Sequence, residues 1–158
     1  MKMVLILTGR TKHGFVEAGM AEYLKRMSKY TKLDVLVIPD IRNAGKLSMK
    51  QLIQKEGEEI LKNLDSRDVV VLLDEKGREL SSPELAEFIG QRQVAGGGRL
   101  VFVIGGASGC SGDVLKRSDF VISLSRMTFS HQIVRIIFLE QLYRAFTILN
   151  NEPYHLGH

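Results

Sequence analysis

The sequence predicts an α/β fold, a mainly parallel sheet flanked by helices, and three observations carry that reading. Short continuous apolar runs, such as Val69 to Leu73 and Val101 to Ile104, alternate with longer segments of helical period. Runs of that kind belong to strands buried on both faces, and strands alternating with helices make parallel sheets. Each run ends in glycine or small polar residues, which is how parallel strands deliver backbone to a ligand at their carboxyl ends.

Taken in order, Val4 to Leu7 form a strand that ends at Thr8-Gly9, and Phe15 to Tyr30 carry Met20, Tyr23, Leu24 and Met27 at helical spacing. Leu33 to Ile38 is the second strand, closed by Pro39. Ser48 and Gln51 have capping-box spacing, so a helix opens there with Leu52, Ile53, Ile60, Leu61 and Leu64 inward; Gly57 weakens it without ending it. The third strand, Val69 to Leu73, stops at Asp74-Glu75-Lys76-Gly77. Ser82-Pro83-Glu84 starts a helix through Ile89, because proline's fixed φ suits a first helical turn. Gly96-Gly97-Gly98 turns the chain into the Val101 strand, a short helix begins at Ser111, the Phe120 strand follows, and a long helix runs from about Ser130 to Leu149. With no linker or repeat, residues 1–158 read as a single domain.

Composition narrows the function classes. A charged fraction of 25% and an apolar fraction of 44% are those of a globular chain. The net charge of +4 favours a polyanionic partner without requiring one. Cys110, the lone cysteine, excludes a disulfide framework, and no Cys/His cluster offers metal ligands, so no metal is expected. The first apolar run is too short for a signal peptide and none approaches membrane-spanning length, so the expected location is cytoplasmic, with no membrane partner.

The last helix is apolar over well over half its circumference, with Glu140, Gln141, Arg144 and Thr147 gathered on one side. One sheet cannot bury so wide an arc. Either a further layer of the same chain covers it or a second chain does, and the small size of the chain favours a homodimer, with Phe138 and Leu142 as candidate interface residues. Arg135 lies on the apolar side, flanked by Leu139, Leu142 and Phe146. It is either a structural salt bridge or a snorkelling stem, or else an anion or substrate clamp at the mouth of a pocket.

Two strand ends stand out as walls of one pocket: Gly105-Gly106-Ala107-Ser108-Gly109 and Leu124-Ser125-Arg126-Met127-Thr128-Phe129. Thr8-Gly9-Arg10-Thr11 stands where a Rossmann fingerprint would lie, and no P-loop motif is present. Gly106-Ala107-Ser108-Gly109 departs from a nucleophile elbow, which leaves Ser108 as a turn residue. Glycines at the ends of late strands point to a ligand cradled by backbone groups.

These residues carry a family resemblance. Val103-Ile104-Gly105-Gly106 followed by Gly109, the run Leu124 to Gln132, Glu140 to Ala145, and Asn151-Glu152-Pro153-Tyr154-His155 resemble the SPOUT-superfamily methyltransferases that act on N3 of a pseudouridine in large-subunit ribosomal RNA. Lys55-Glu56-Gly57 and Glu22 to Arg26 extend the resemblance over essentially the whole chain. Ser130 stands where that family usually has proline, and Leu156-Gly157-His158 follow where it usually ends in basic residues.

The resemblance implies a C-terminal trefoil knot, an exception to the rule of un-knotted chains. It implies S-adenosyl-L-methionine bound by Leu73, by Gly105 and Gly106, and by Leu124, Ser125, Arg126, Met127, Thr128 and Phe129. It also implies a homodimer in which the neighbouring chain completes the pocket, and pseudouridine 1915 of 23S rRNA in the ribosome as target. Tyr154 and His155 are then candidates for target positioning and proton handling, with Arg135 as an electrostatic partner. Without the family, Tyr154 packs the tail and His155 is a solvated residue. His131 is expected at a helix cap or behind the reacting groups, while Asp74 and Glu75 could reach a ribose or the sulfonium region. The competing readings are a SPOUT methyltransferase of another RNA and a non-catalytic, knotted RNA-binding protein.

Overall fold

The structure, a computed structural model, describes residues 1–156. Gly157 and His158, and with them most of the departure at the tail, lie outside the described residues. Strands and helices alternate as β1 (Met3–Thr8), α1 (Gly14–Met27), β2 (Leu33–Ile38), a 3-10 turn (Ala44–Lys46), α2 (Met49–Lys62), β3 (Val69–Glu79), α3 (Ser82–Ala95), β4 (Leu100–Ile104), α4 (Gly112–Arg117), β5 (Phe120–Ser123) and α5 (Ile133–Leu149). The strands form one sheet in the order β2-β1-β4-β3-β5, with parallel pairing throughout. All five carboxyl ends therefore meet along one edge.

Alternating side chains divide the core as the strand period requires. Met3, Leu5, Leu7, Phe102 and Ile104 face α1, α3 and α5. Val4, Ile6, Val70, Leu72, Val101 and Val103 face α2 and α4. The expected helices on both faces are present. The capping box at α2 forms as its spacing predicts, Ser48 Oγ accepting from Gln51 N and Gln51 Oε1 from Ser48 N. A second box, Ser81 with Glu84, opens α3 one residue earlier than the proline signal suggests.

Two expectations need correction. The third strand does not stop at Asp74. It continues to Glu79, pairing with β5 through Leu73 and again from Arg78, with a register shift between them. Gly77 permits this, because a Cβ there would sit 2.7 Å from the Val121 carbonyl. The four intervening residues bulge from the sheet, a device that re-aims side chains beside functional sites.

The wide apolar arc of the last helix is covered by its own chain. α5 packs against both α1 and α3. Glycine makes the approach close: a Cβ on Gly19 of α1 would meet Ile136 Cδ1 at 2.9 Å, and one on Gly90 of α3 would meet Leu149 at 3.1 Å. Phe138 and Leu142 are fully buried within the protomer, so they are core residues and not the interface expected of them. Among the exposed apolar side chains are Phe15 of α1 and Ile133 of α5, each about one helical turn before the Gly19 and Ile136 contact, and Leu149 at the far end of α5.

Candidate functional site

A cavity of about 620 Å³ opens at the carboxyl edge where β3 bulges and β4 and β5 end. The middle of β3, where its pairing with β5 is interrupted, contributes Leu73 and the bulge residues Asp74, Glu75 and Lys76. The turn after β4 contributes Gly105 and Gly106, and the loop after β5 contributes Leu124, Ser125, Met127, Thr128 and Phe129. Three segments far apart in sequence thus converge on one space. Ser125 Oγ accepts from Met127 N at 3.0 Å, and Ser123 Oγ donates to Ser125 O at 2.8 Å, so the β5 loop is internally braced. The Thr128 hydroxyl donates to the Glu75 carboxylate, tying that loop to the β3 bulge across the cavity.

The β4 turn closes on itself through Gly109 N donating to Gly106 O at 3.1 Å. A Cβ on Gly105 would lie 2.6 Å from Cys110 Sγ and 3.2 Å from the Gly109 carbonyl. Gly105 is therefore needed so that the two arms of the turn can touch. Burial and the nearby Asp74 and Glu56 carboxylates push the Cys110 thiol up to about 12, so it stays protonated. Gly105→Ala should lower affinity for S-adenosyl-L-methionine, the ligand the resemblance implies here, about tenfold or more, since overpacking costs roughly 1–3 kcal/mol. Cys110→Ala added to it should recover part of the loss, because the nearest obstacle is then gone. Calorimetry on the single and double variants measures the coupling; strictly additive effects would refute the steric account.

His131 and Val134 line the cavity from the start of α5. Burial, and then the positive charges of Arg135 and Lys12, hold His131 below the ordinary imidazole range. It is not a cap: Ser130 Oγ accepts from Ile133 N at 3.0 Å and does that work, where the resembling family usually carries proline. Met49 at the start of α2 and Ala107 through Cys110 complete the wall. Met49 had no local signal in the sequence, since only the fold brings α2 to this edge.

Four residues expected at the site lie elsewhere. Arg126 points away from the cavity, is exposed, and pairs with Glu79 at 3.4 Å. Arg135 is fully buried and makes neither an ion pair nor a pocket-mouth clamp. Its guanidinium donates to Thr8 O, Gly9 O, Thr11 Oγ1 and His131 O at 2.9–3.2 Å, tying α5 to the loop after β1.

Tyr154 and His155 pack on the second half of α5. Tyr154 Oη donates to Glu140 Oε1 at 3.1 Å, its ring meets Tyr143 edge-on and Arg144 lies over its face. Arg144 bridges Glu140 at 2.7 Å and His155 Nδ1 at 3.2 Å. Burial and the Glu140 charge push the Tyr154 phenol up to about 12, so near neutral pH it is a donor and not a base. From Val134 in the cavity wall to Arg144 is ten residues of helix, about 15 Å at 1.5 Å per residue. A chain's own terminal pair is therefore remote from its own cavity.

Residues 1–155 match the family described as "Predicted SPOUT methyltransferase". A "Ribosomal RNA large subunit methyltransferase H" from Porphyromonas gingivalis is 50% identical over 155 residues, 98% of this chain and 99% of its own. Proteins of the same name from Bacteroides thetaiotaomicron and Carboxydothermus hydrogenoformans are 46% and 43% identical, again over 98% of this chain and 99% of theirs. Among solved structures, a tRNA methyltransferase from Aquifex aeolicus superposes with a TM-score of 0.54 at 17% identity, over 91% of this chain and 70% of its own. A probable methylase family protein from Haemophilus influenzae superposes at 0.52 and 15%, over 99% and 70%. At such identities the superpositions show the fold alone.

Proposed function

The chain belongs to the SPOUT methyltransferase family, and from that premise we propose that it transfers a methyl group from S-adenosyl-L-methionine to N3 of a pseudouridine in 23S rRNA, the position 1915 target that the family resemblance implies, on the assembled ribosome. The observation that carries the proposal is the convergence of the β3 bulge and the β4 and β5 ends on one cavity, with eight of the nine expected cofactor residues in its wall. The reading takes residues 1–158 as one domain in the cytoplasm and includes the C-terminal trefoil knot. Among the described residues no helix is long and apolar enough to cross a membrane.

The residues suit the cofactor. Asp74 and Glu75 offer carboxylates to a cation, Leu73, Ile104 and Leu124 an apolar slot, and the 105–109 turn a backbone edge. When bound, the cofactor supplies a methyl group on a sulfonium, open to in-line displacement. The chain must hold the target collinear and exclude water. Pseudouridine N3 lies between two carbonyls and keeps its proton at neutral pH, so a base must take it. His131 is in the wall and neutral at pH 7, which suits it to that role. Tyr154 and His155 reach a cavity only in a dimer, each tail serving the neighbouring pocket, with exposed Phe15 and Ile133 as the apolar contact between chains.

The test is transfer of labelled methyl to ribosomes lacking the modification, with free rRNA and tRNA as parallel substrates. Assembled ribosomes should be labelled. Label in tRNA alone would favour the other-RNA reading, and RNA binding without transfer the non-catalytic one. With His131 as base, the rate should hold down to pH values below about 6.5 and then fall as the imidazole protonates, a limb that His131→Gln removes.

A further inference from the structure

The loop after β1 is held to an unusual degree. Besides three donations from Arg135, to Thr8 O, Gly9 O and Thr11 Oγ1, Gln132 Oε1 accepts from Lys12 N at 2.8 Å and Gln132 Nε2 donates to Arg10 O at 3.2 Å. Gly9 N donates to Ile38 O at 2.8 Å, and Thr8 Oγ1 to Ile104 O at 3.1 Å, so the ends of β2, β1 and β4 are stapled together. Two buried side chains are thus spent on fixing backbone whose own side chains, Arg10 and Lys12, stand in solvent. The neighbouring segment after β2 is exposed at Arg42, Lys46 and Lys50. Arg10 pairs with Asp40 at 3.6 Å, and Glu56 beside Gly106 and Asp74 and Glu75 in the cavity wall are further carboxylates of this edge, whereas Lys12, Arg42, Lys46 and Lys50 form no salt bridge with another described residue. Both segments reach the cavity: Lys12 acts on His131 in its wall, and Met49 beside Lys50 forms part of it.

We infer that Lys12, Arg42 and Lys46 form a track for the phosphate backbone of the RNA that flanks the target nucleotide, with Gln132 and Arg135 positioning its Lys12 end. The inference rests on the proposed function and names the surface by which that substrate is held. A polyanion suits the track because exposed cations carried on loops at the sheet edge can pair with phosphates, and each contact releases counterions. Phosphate contacts set register and orientation without reading sequence. They would deliver one nucleotide to the adjoining cavity.

The test is the triple variant Lys12→Ala, Arg42→Ala, Lys46→Ala against a control, Lys25→Ala, Arg67→Ala, Lys116→Ala, which removes the same charge from exposed positions away from this edge. With ribosomes as probe at about pH 8, where His131 is neutral with or without the Lys12 charge, the first triple should raise KM about tenfold or more, leave kcat within about twofold, and reduce the slope of log Kd against log salt by about 2–3, at roughly 0.7–0.9 per phosphate. Affinity for S-adenosyl-L-methionine should not change, and the control should match wild type. Equal effects of the two triples, or an unchanged salt slope in the first, overturn the track. A wild-type protein that binds ribosomes through these residues but transfers no methyl group upholds the track and refutes the catalytic reading, so the two can fail separately.

Discussion

Arg135→Ala should lower the stability of the protein by about 4 kcal/mol, read as a fall of roughly 10 °C in Tm at the 2–4 °C per kcal/mol of a chain this size. The side chain is the largest of those fully buried, yet its partners are carbonyls and a hydroxyl, not a carboxylate. Burial pulls the guanidinium pKa down, but it starts so high that the group stays charged. Removing it strands the Thr8 and Gly9 carbonyls in a dry site at about 1–3 kcal/mol each and leaves a void as well. Arg135→Met separates these costs, since it restores most of the volume and none of the donors. Lysine should not rescue, because one ammonium cannot span four acceptors in a fixed fork. If urea melts place Arg135→Ala within 1 kcal/mol of wild type, the guanidinium does not brace the β1 loop.

The same residue marks the boundary of what the sequence could reveal. Its position on an apolar helix face was legible from the helical period, and so was its need for partners. Their identity was not, because backbone carbonyls at Thr8 and Gly9 carry no residue signal and become available only when β1 ends beside α5. The α2 capping box and the apolar strands were legible because they are local. The β3 bulge was not: Asp74-Glu75-Lys76-Gly77 reads as a stop, and only pairing with β5, more than forty residues on, shows that the strand resumes. The breadth of the α5 arc was read correctly and its cover wrongly, since Gly19 and Gly90, which let α1 and α3 close over it, look in sequence like weak points of two ordinary helices. Two pocket walls were found from glycine and serine at strand ends, the third only through resemblance.

Removal of the terminal pair should have the largest effect on activity. Truncation after Pro153, or His155→Ala with Tyr154→Phe, should slow methyl transfer about 100-fold or more while leaving affinity for S-adenosyl-L-methionine nearly intact, the mark of lost positioning or proton handling. The structure sharpens what this loss would mean. Tyr154 and His155 are anchored at Glu140 and Arg144, about 9 and 15 Å along α5 from Val134 in the cavity wall of their own chain, so in the proposed dimer they act on the pocket of the partner. A mixture of the tail-less variant with a Gly105→Val pocket variant then discriminates. Each homodimer should be inert, whereas a mixed dimer carries one pocket with an intact loop set facing one intact tail. At random assortment about a quarter of wild-type activity should return, half of the dimers being mixed and each holding one competent site of two. Phe15→Glu, which buries a charge in the proposed contact, should abolish that recovery by yielding monomers. Mixed dimers verified by mass that stay inactive would show that the tail does not work across the interface, and with it the composite site would fall.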